Sequence, residues 1–391
     1  MFSISRFQRV MQGLPRGSFQ SVVDQHEGDK HTKGFGCLGL LAAHVFGHLS
    51  GSRSLRDLEI GFNAHPAQRY HLGIGPHGVR RTTLADASAK RNPAVFEQTA
   101  RMLMAAASRK IRRQGEECLM LLDSTSFTLK GPGFEWAKQS ATRNTQGLKL
   151  HIVYDLGKST PVLGEITAAN VNDVTQALGI PLARGATYVF DKGYCDYNWW
   201  ARFDEQDAKF VTRLKSNAKV EVVGPKWVPE QGPSLVIADE VVRFSNKNPG
   251  AGRKNRYTAN VRRVIVHRPT HDTPLVLVTN DMERTATEVA ECYRARWQIE
   301  LFFKWIKQNL RIKAFLGRSE NAVRIQILCA LIAYLLAALY RDSQAPAQSM
   351  LRVLNELRVT LFQRPSVEEA VYRRRAEARV TQAAVQPGLF A

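Results

Sequence analysis

A chain of 391 residues with 44% apolar side chains has room for two or three domains with a sizeable core, and is too apolar to be a disordered polymer. Its 55 Lys and Arg against 35 Asp and Glu leave a net charge of +20, which points to a polyanionic partner, nucleic acid ahead of a membrane surface. Five cysteines, at 37, 118, 195, 292 and 329, are odd in number and lack C-x-x-C spacing, so neither a disulfide framework nor a zinc knuckle is indicated.

The first segment, "MFSISRFQRVMQGLPRGSF", has no apolar signal core, and a cytoplasmic location is expected. From residue 1 to about 112 the pattern is helical, with "KGFGCLGLLAAHVFGHLSG", "SLRDLEIGFN" and "NPAVFEQTARMLMAAASRKIRR" separated by basic turns. This reads as a helical N-terminal DNA-binding domain, although a plain basic helical bundle would share the pattern. His44 and His48 are four apart on an apolar helix, lack the intervening Glu of a zinc protease, and are expected to pack. "GIGPHG", Gly73 to Gly78, has the form of a dinucleotide-binding loop, but no strand precedes it and Pro76 interrupts it.

Beyond residue 112 the period becomes strand-like. "CLMLLDSTSFTL", "LKLHIVYDL" and "TPVLGEITAANV" predict three strands, followed by a helix capped by Asp173, a buried strand "TYVFD", a helix around "YNWWARFDEQD" and a strand "KFVTRL". That order matches a ribonuclease H-like α/β core over 113–214 and 281–318. Residues 215–280, with β-type runs between Pro, Gly and Asn, form an expected β-rich insertion. Residues 319–391 supply C-terminal helices and a basic tail with three arginines at 373–375. The run "ILCALIAYLLAALY" is 14 residues long, short of the roughly 18 to 20 that cross a bilayer, so a buried helix is expected and no membrane association.

"TATEVAECYRARWQIELFFKWIKQNL" predicts one helix over Thr285–Leu310. Thr285 and Glu288 have capping-box spacing, and Cys292, Ile299, Phe303, Ile306 and Leu310 make an apolar stripe. At 100° per residue, Tyr293, Arg296, Glu300, Lys304 and Lys307 share an arc of about 80°. On the helix alone this is equally a solvated face with an ordinary ion pair.

Asp123 and Asp191 each close an apolar run, so if those strands are neighbours their carboxylates lie side by side, with Glu300 available as a third. Such a cluster suits two Mg²⁺ ions, which together promote in-line attack on phosphorus. Arg296 would then grip a phosphate as a fork, Lys304 and Lys307 would act as point charges, Tyr293 would donate its hydroxyl, and Trp297 would stack on an unpaired base. The alternatives remain open at this point. Asp123 in "DSTS" and Asp191 in "DKG" also suit turns, Asp155 and Asp196 are rival acids, and Trp199, Trp200 and Trp297 also suit a core.

Y-x2-R-x3-E-x6-K, filled by Tyr293, Arg296, Glu300 and Lys307, resembles the signature of the IS-four family of bacterial insertion-sequence transposases. "FDKGY" and the β insertion extend the resemblance over about residues 115 to 340. "LPRGSF", "HEGDKH", "LSGSRSLRDLE", "YHLGIG" and "TTLADASAKR" resemble the N-terminal domain of one branch. The resemblance implies a DDE transposase with Asp123, Asp191 and Glu300 as catalytic metal ligands for Mg²⁺ or Mn²⁺. It also implies a homodimer acting on the terminal inverted repeats and target DNA of a bacterial element, at the nucleoid. One departure stands at Asp196, where the family tends to place an aromatic. A ribonuclease H-like nuclease or resolvase without strand transfer, and a non-catalytic basic DNA-binding protein, are the competing functions.

Overall fold

A computed structural model of the protein describes residues 4–66, 75, 77–112, 118–137, 146–227, 235–245, 254–269, 271–310, 312 and 314–364. The arginine run at 373–375 and half of Gly73–Gly78 lie outside the described residues. The chain divides into two compact units, one drawn from Met1–Leu103 and Ile306–Ala391 and the other from Met104–Trp305.

The first unit is helical: α1 (Arg6–Met11), α2 (Arg16–Gln25), α3 (Cys37–Ser50), α4 (Leu55–Asn63), α5 (Arg81–Lys90) and the start of α6 (Pro93–Arg112). It also holds α11 (Glu320–Gln344) and α12 (Met350–Thr360). The apolar run expected as a buried helix is the middle of α11, which is 25 residues long and passes a membrane-span test on length and composition. Its most apolar window is 89% buried inside the protein, which makes it a core helix. His44 and His48 are buried on α3 and stack at 6.3 Å, and the His48 ring nitrogens lie 2.7 Å from Leu310 O and 3.2 Å from Gln326 O.

The second unit is built on one nine-stranded sheet of order β3-β2-β1-β4-β5-β9-β8-β7-β6. The strands are β1 (Leu119–Thr128), β2 (Gly147–Asp155), β3 (Thr160–Ala168), β4 (Thr187–Phe190), β5 (Lys209–Arg213), β6 (Val220–Trp227), β7 (Val236–Phe244), β8 (Val261–Val266) and β9 (Leu275–Thr279). β1, β4 and β5 are mutually parallel at the centre, and β4 is buried along its whole length, as a strand covered on both faces must be. The crossovers carry α7 (Asp173–Ala177) and α8 (Tyr197–Glu205). Asn172, not Asp173, is the N-cap of α7.

Trp199 and Trp200 belong to the core. Both are fully buried among Phe190, Phe203 and Phe210, and the Trp200 indole donates to Tyr194 O at 3.3 Å. The strands of 215–280 do not form a sheet apart, because β9 pairs with β5 and thereby continues the core sheet outward through β8, β7 and β6.

Where one helix is expected after the insertion there are two, α9 (Ala286–Ala295) and α10 (Trp297–Asn309). The capping box is formed, with Thr285 N donating to Glu288 Oε2 at 2.7 Å and Glu288 N to Thr285 Oγ1 at 3.2 Å. The break falls at Arg296, where bonds three residues apart, Arg296 N to Tyr293 O and Ile299 N to Arg296 O, replace the α ladder. Of the expected apolar stripe, Ile299, Phe303, Ile306 and Leu310 beyond the break are at most 5% exposed, whereas Cys292 before it is only half-buried.

Candidate active site

The parallel register between β1 and β4 ends at Leu122 opposite Phe190, so the next residues, Asp123 and Asp191, leave adjacent strands at the same level. Asp123 does not close its strand. β1 runs on to Thr128 against β2, because the Ser/Thr-rich continuation is itself well suited to a pleated edge, and it is β4 that stops. After Phe190 the chain turns into a short 3-10 segment, and Asp191 heads that turn without spending its side chain on a cap. Its Oδ1 accepts from the Tyr293 hydroxyl at 3.2 Å and lies 3.9 Å from Arg213 Nη1.

Arg296, at the helix break, reaches two carboxylates at once. Nη1 donates to Asp123 Oδ2 at 3.3 Å and Nη2 to Glu300 Oε1 at 2.5 Å. The other Asp123 oxygen accepts from Ser124 N at 2.8 Å. The side-chain hydrogen bonds form two sets, Asp123–Arg296–Glu300 and Asp191–Tyr293, which adjoin where the Arg296 guanidinium lies 5.9 Å from the centroid of the Tyr293 ring. Burial pushes the Asp123 carboxyl up to about 6, helped by the charges of Glu300 and Asp173 and opposed by the Ser124 amide and Arg296. Burial, with the Asp191 charge behind it, pushes the Tyr293 phenol up to about 12, so it stays a donor at neutral pH.

The remaining sequence-derived residues sit elsewhere on α10. Trp297 is 56% exposed, against the expectation that such a tryptophan more often packs. Lys304 is exposed. Lys307 lines a cavity of about 400 Å³ together with His44, His48, Ser52 and Arg53. Of the rival acids, Asp155 closes the turn after β2 by accepting from Lys158 N, and Asp196 caps α8 by accepting from Trp199 N.

Two residues of the site escape a reading of the sequence. Asp173, expected only as a helix cap, accepts from Ser124 Oγ at 2.8 Å and Lys149 Nζ at 3.2 Å, with His151 Nδ1 at 3.5 Å. That cluster depends on the β1–β2 register, which sets Ser124 opposite His151 and has no local signature. Arg213 likewise depends on register: β5 is parallel to β4 with Thr212 opposite Phe190, so the residue after Thr212 stands level with Asp191.

All three acids offer only oxygen, the donor that hard divalent ions prefer. Asp123 is buried enough that its charge needs a cationic neighbour, and here Arg296 supplies it. Among the described residues, no three of His, Cys, Asp and Glu gather closely enough to hold an ion by themselves. The donor set therefore fits such an ion in kind, with a guanidinium standing between two of its members.

Residues 114–336 match the family model described as "Transposase DDE domain". The chain belongs to the DDE transposase family. Residues 3–75 of this transposase match a second model, "Domain of unknown function (DUF4372)". It is 41% identical over 286 residues to y4zB of Sinorhizobium fredii, a transposase by name, covering 73% of this chain and 78% of that protein. It is 27% identical to the protein named as a transposase for insertion sequence element IS5377 of Geobacillus stearothermophilus, over 76% of this chain and 79% of the other. The solved piggyBac transposase synaptic complex with hairpin DNA is a distant likeness, with a TM-score of 0.45 and 11% identity over 98% of this chain and 85% of that one. The protein is a DNA-acting transposase with a mixed α/β core, and a DDE domain implies dependence on a divalent metal.

Proposed function

We propose that this transposase cuts the ends of an insertion sequence and joins the freed 3′-hydroxyl to target DNA, with Asp123, Asp191 and Glu300 as the ligands of two Mg²⁺ ions, replaceable by Mn²⁺. The observation that carries the reading is the level pair Asp123 and Asp191 at the β1–β4 edge, with Glu300 tied to Asp123 through Arg296. Bound there, the ions supply an activated oxygen nucleophile and stabilise the leaving oxygen of an in-line displacement.

The protein's own groups do the rest. Tyr293 donates a hydrogen bond and orients Asp191, while Ser124 N does the same for Asp123. Lys304 and Lys307 on α10 and Arg296 at the break before it serve as phosphate contacts, and the exposed indole of Trp297 offers a stacking surface near Glu300. The 1–112, 113–214, 215–280, 281–318 and 319–391 segments are assigned as a DNA-binding domain, a core in two parts around a β insertion, and C-terminal helices. We place the active form as a homodimer on paired ends in the bacterial cytoplasm.

Glu300→Gln tests the proposal with the element's end duplex and a target plasmid. Loss of both cleavage and joined product, with duplex binding retained, is expected. Undiminished cutting by the variant overturns the assignment. Cutting by the native protein without joined product reduces it to a hydrolytic nuclease.

A further inference from the structure

We infer that Arg296 is an exchangeable counter-ion, holding Asp123 and Glu300 in the DNA-free protein and passing to a DNA phosphate when metal takes the carboxylates. The inference rests on the reading of Asp123, Asp191 and Glu300 as metal ligands and adds to it a gate. Its starting point is a conflict of roles. The two terminal nitrogens of the guanidinium each give one N–H to an anion, a carboxylate on β1 and a carboxylate on α10, so its charge is already shared by two acids. A phosphate must compete with both carboxylates for that charge while the two bonds stand.

A Mg²⁺ ion draws its oxygens to about 2.0–2.1 Å, nearer than either of these contacts, and its charge repels a guanidinium bonded to the same two groups. Ion and guanidinium therefore compete for Asp123 and Glu300. The position of Arg296 suits an exchange. It occupies the break between α9 and α10, where bonds three residues apart interrupt the ladder, and its side chain keeps 15% of its surface exposed. Asp123 keeps the Ser124 amide as a partner when the guanidinium leaves. A phosphate arriving with DNA offers the released guanidinium a bidentate acceptor in place of two single bonds. Metal binding and phosphate binding then each assist the other by the same factor, as linkage requires. The consequence is a nuclease centre that loads metal weakly until DNA is present.

Mn²⁺ titration followed by the loss of the free-ion electron paramagnetic resonance signal tests this without any reading of activity. In the DNA-free full-length protein, Arg296→Ala should bind Mn²⁺ more tightly than the native chain by a factor in the usual coupling range, about 5 to 150. Arg296→Lys, which keeps the charge and loses the fork, should fall between them and covers the case of a poorly folded alanine variant. Adding the terminal duplex of the element that encodes the chain should tighten Mn²⁺ binding to the native protein and leave Arg296→Ala unchanged. Asp123→Asn, alone and combined with Arg296→Ala, should abolish the site. If Arg296→Ala and Arg296→Lys bind no more tightly than the native protein while Asp123→Asn still abolishes binding, the gate is wrong and the metal site stands. If no variant shows Mn²⁺ binding that depends on Asp123, both fall.

Discussion

Replacing Asp123 by Asn should make the protein more stable at neutral pH while disabling it. The carboxyl is shifted from its ordinary 3.8 to about 6, chiefly by burial. The folded state therefore holds this proton more tightly than the unfolded chain, and stability falls as pH rises from about 4 to about 6 and stays lower above that. At 1.36 kcal/mol per unit, the rise costs about 3 kcal/mol at pH 8 and nearly nothing at pH 4. Asparagine has nearly the same shape and no charge to bury, and its amide oxygen still accepts from Ser124 N. Urea unfolding in EDTA measures the gain, followed by tryptophan fluorescence, to which the buried Trp199 and Trp200 of the same unit contribute. The stability difference in favour of asparagine should grow from near zero at pH 4 to about 3 kcal/mol above pH 6. Millimolar Mg²⁺ should then narrow the gap by stabilising only the native protein. A variant less stable than the native protein at pH 8, or a difference that does not change with pH, would refute the account of Asp123 as a buried, charge-stressed acid.

Lys304→Ala should weaken duplex binding and reduce the slope of log affinity against log salt by about 0.9, and an unchanged slope would remove Lys304 from the phosphate contacts. Asp239→Ala strands Arg262, a nearly fully buried guanidinium, and should cost about 3–5 kcal/mol in urea unfolding, because an unpaired buried charge is left behind. Trp297→Ala should leave stability within about 0.5 kcal/mol, since the ring is 56% exposed, yet cost about 1–3 kcal/mol in binding to a duplex with an unpaired end. A large loss of stability there would mean that Trp297 packs.

The elements that were legible in the sequence are those with a local cause. The Thr285–Glu288 capping box, the Ile299–Leu310 stripe and the change of period after residue 112 each depend on neighbours within a few positions. The helix break was not legible, because Arg296 keeps αR dihedrals, φ −51° and ψ −32°, and no Gly or Pro marks it. Asp123 looked like a strand end because the apolar run stops there. Whether β1 continues is decided by β2, which lies some twenty residues or more further along the chain and pairs with the polar continuation. The continuity of the sheet into β9, β8, β7 and β6 has the same origin, a pairing between segments more than sixty residues apart. At the site, the residue types of the acids were legible. Their partners Asp173 and Arg213 emerge only once register is fixed.

Register also explains how the acids hold a common frame although they come from three distant segments. Glu300 follows α9, and the start of α9 is pinned from two sides. Arg262 on β8 clamps Asp239 through both oxygens, at 2.6 and 2.5 Å, and turns its third nitrogen to the Arg284 carbonyl just before the cap. Arg284 in turn pairs with Asp281 at 2.5 Å and reaches Thr187 Oγ1 at 3.0 Å. Thr187 is the first residue of β4, and Asp191 is the residue that follows its last. The helix pair carrying Glu300 is therefore fastened to the strand that presents Asp191, and that strand is registered against the one that presents Asp123. A four-residue strand buried along its whole length is about as rigid a ruler as a fold offers. On this view the insertion strands act as the anchor that keeps the third acid in step with the other two, whatever they add in contact with DNA.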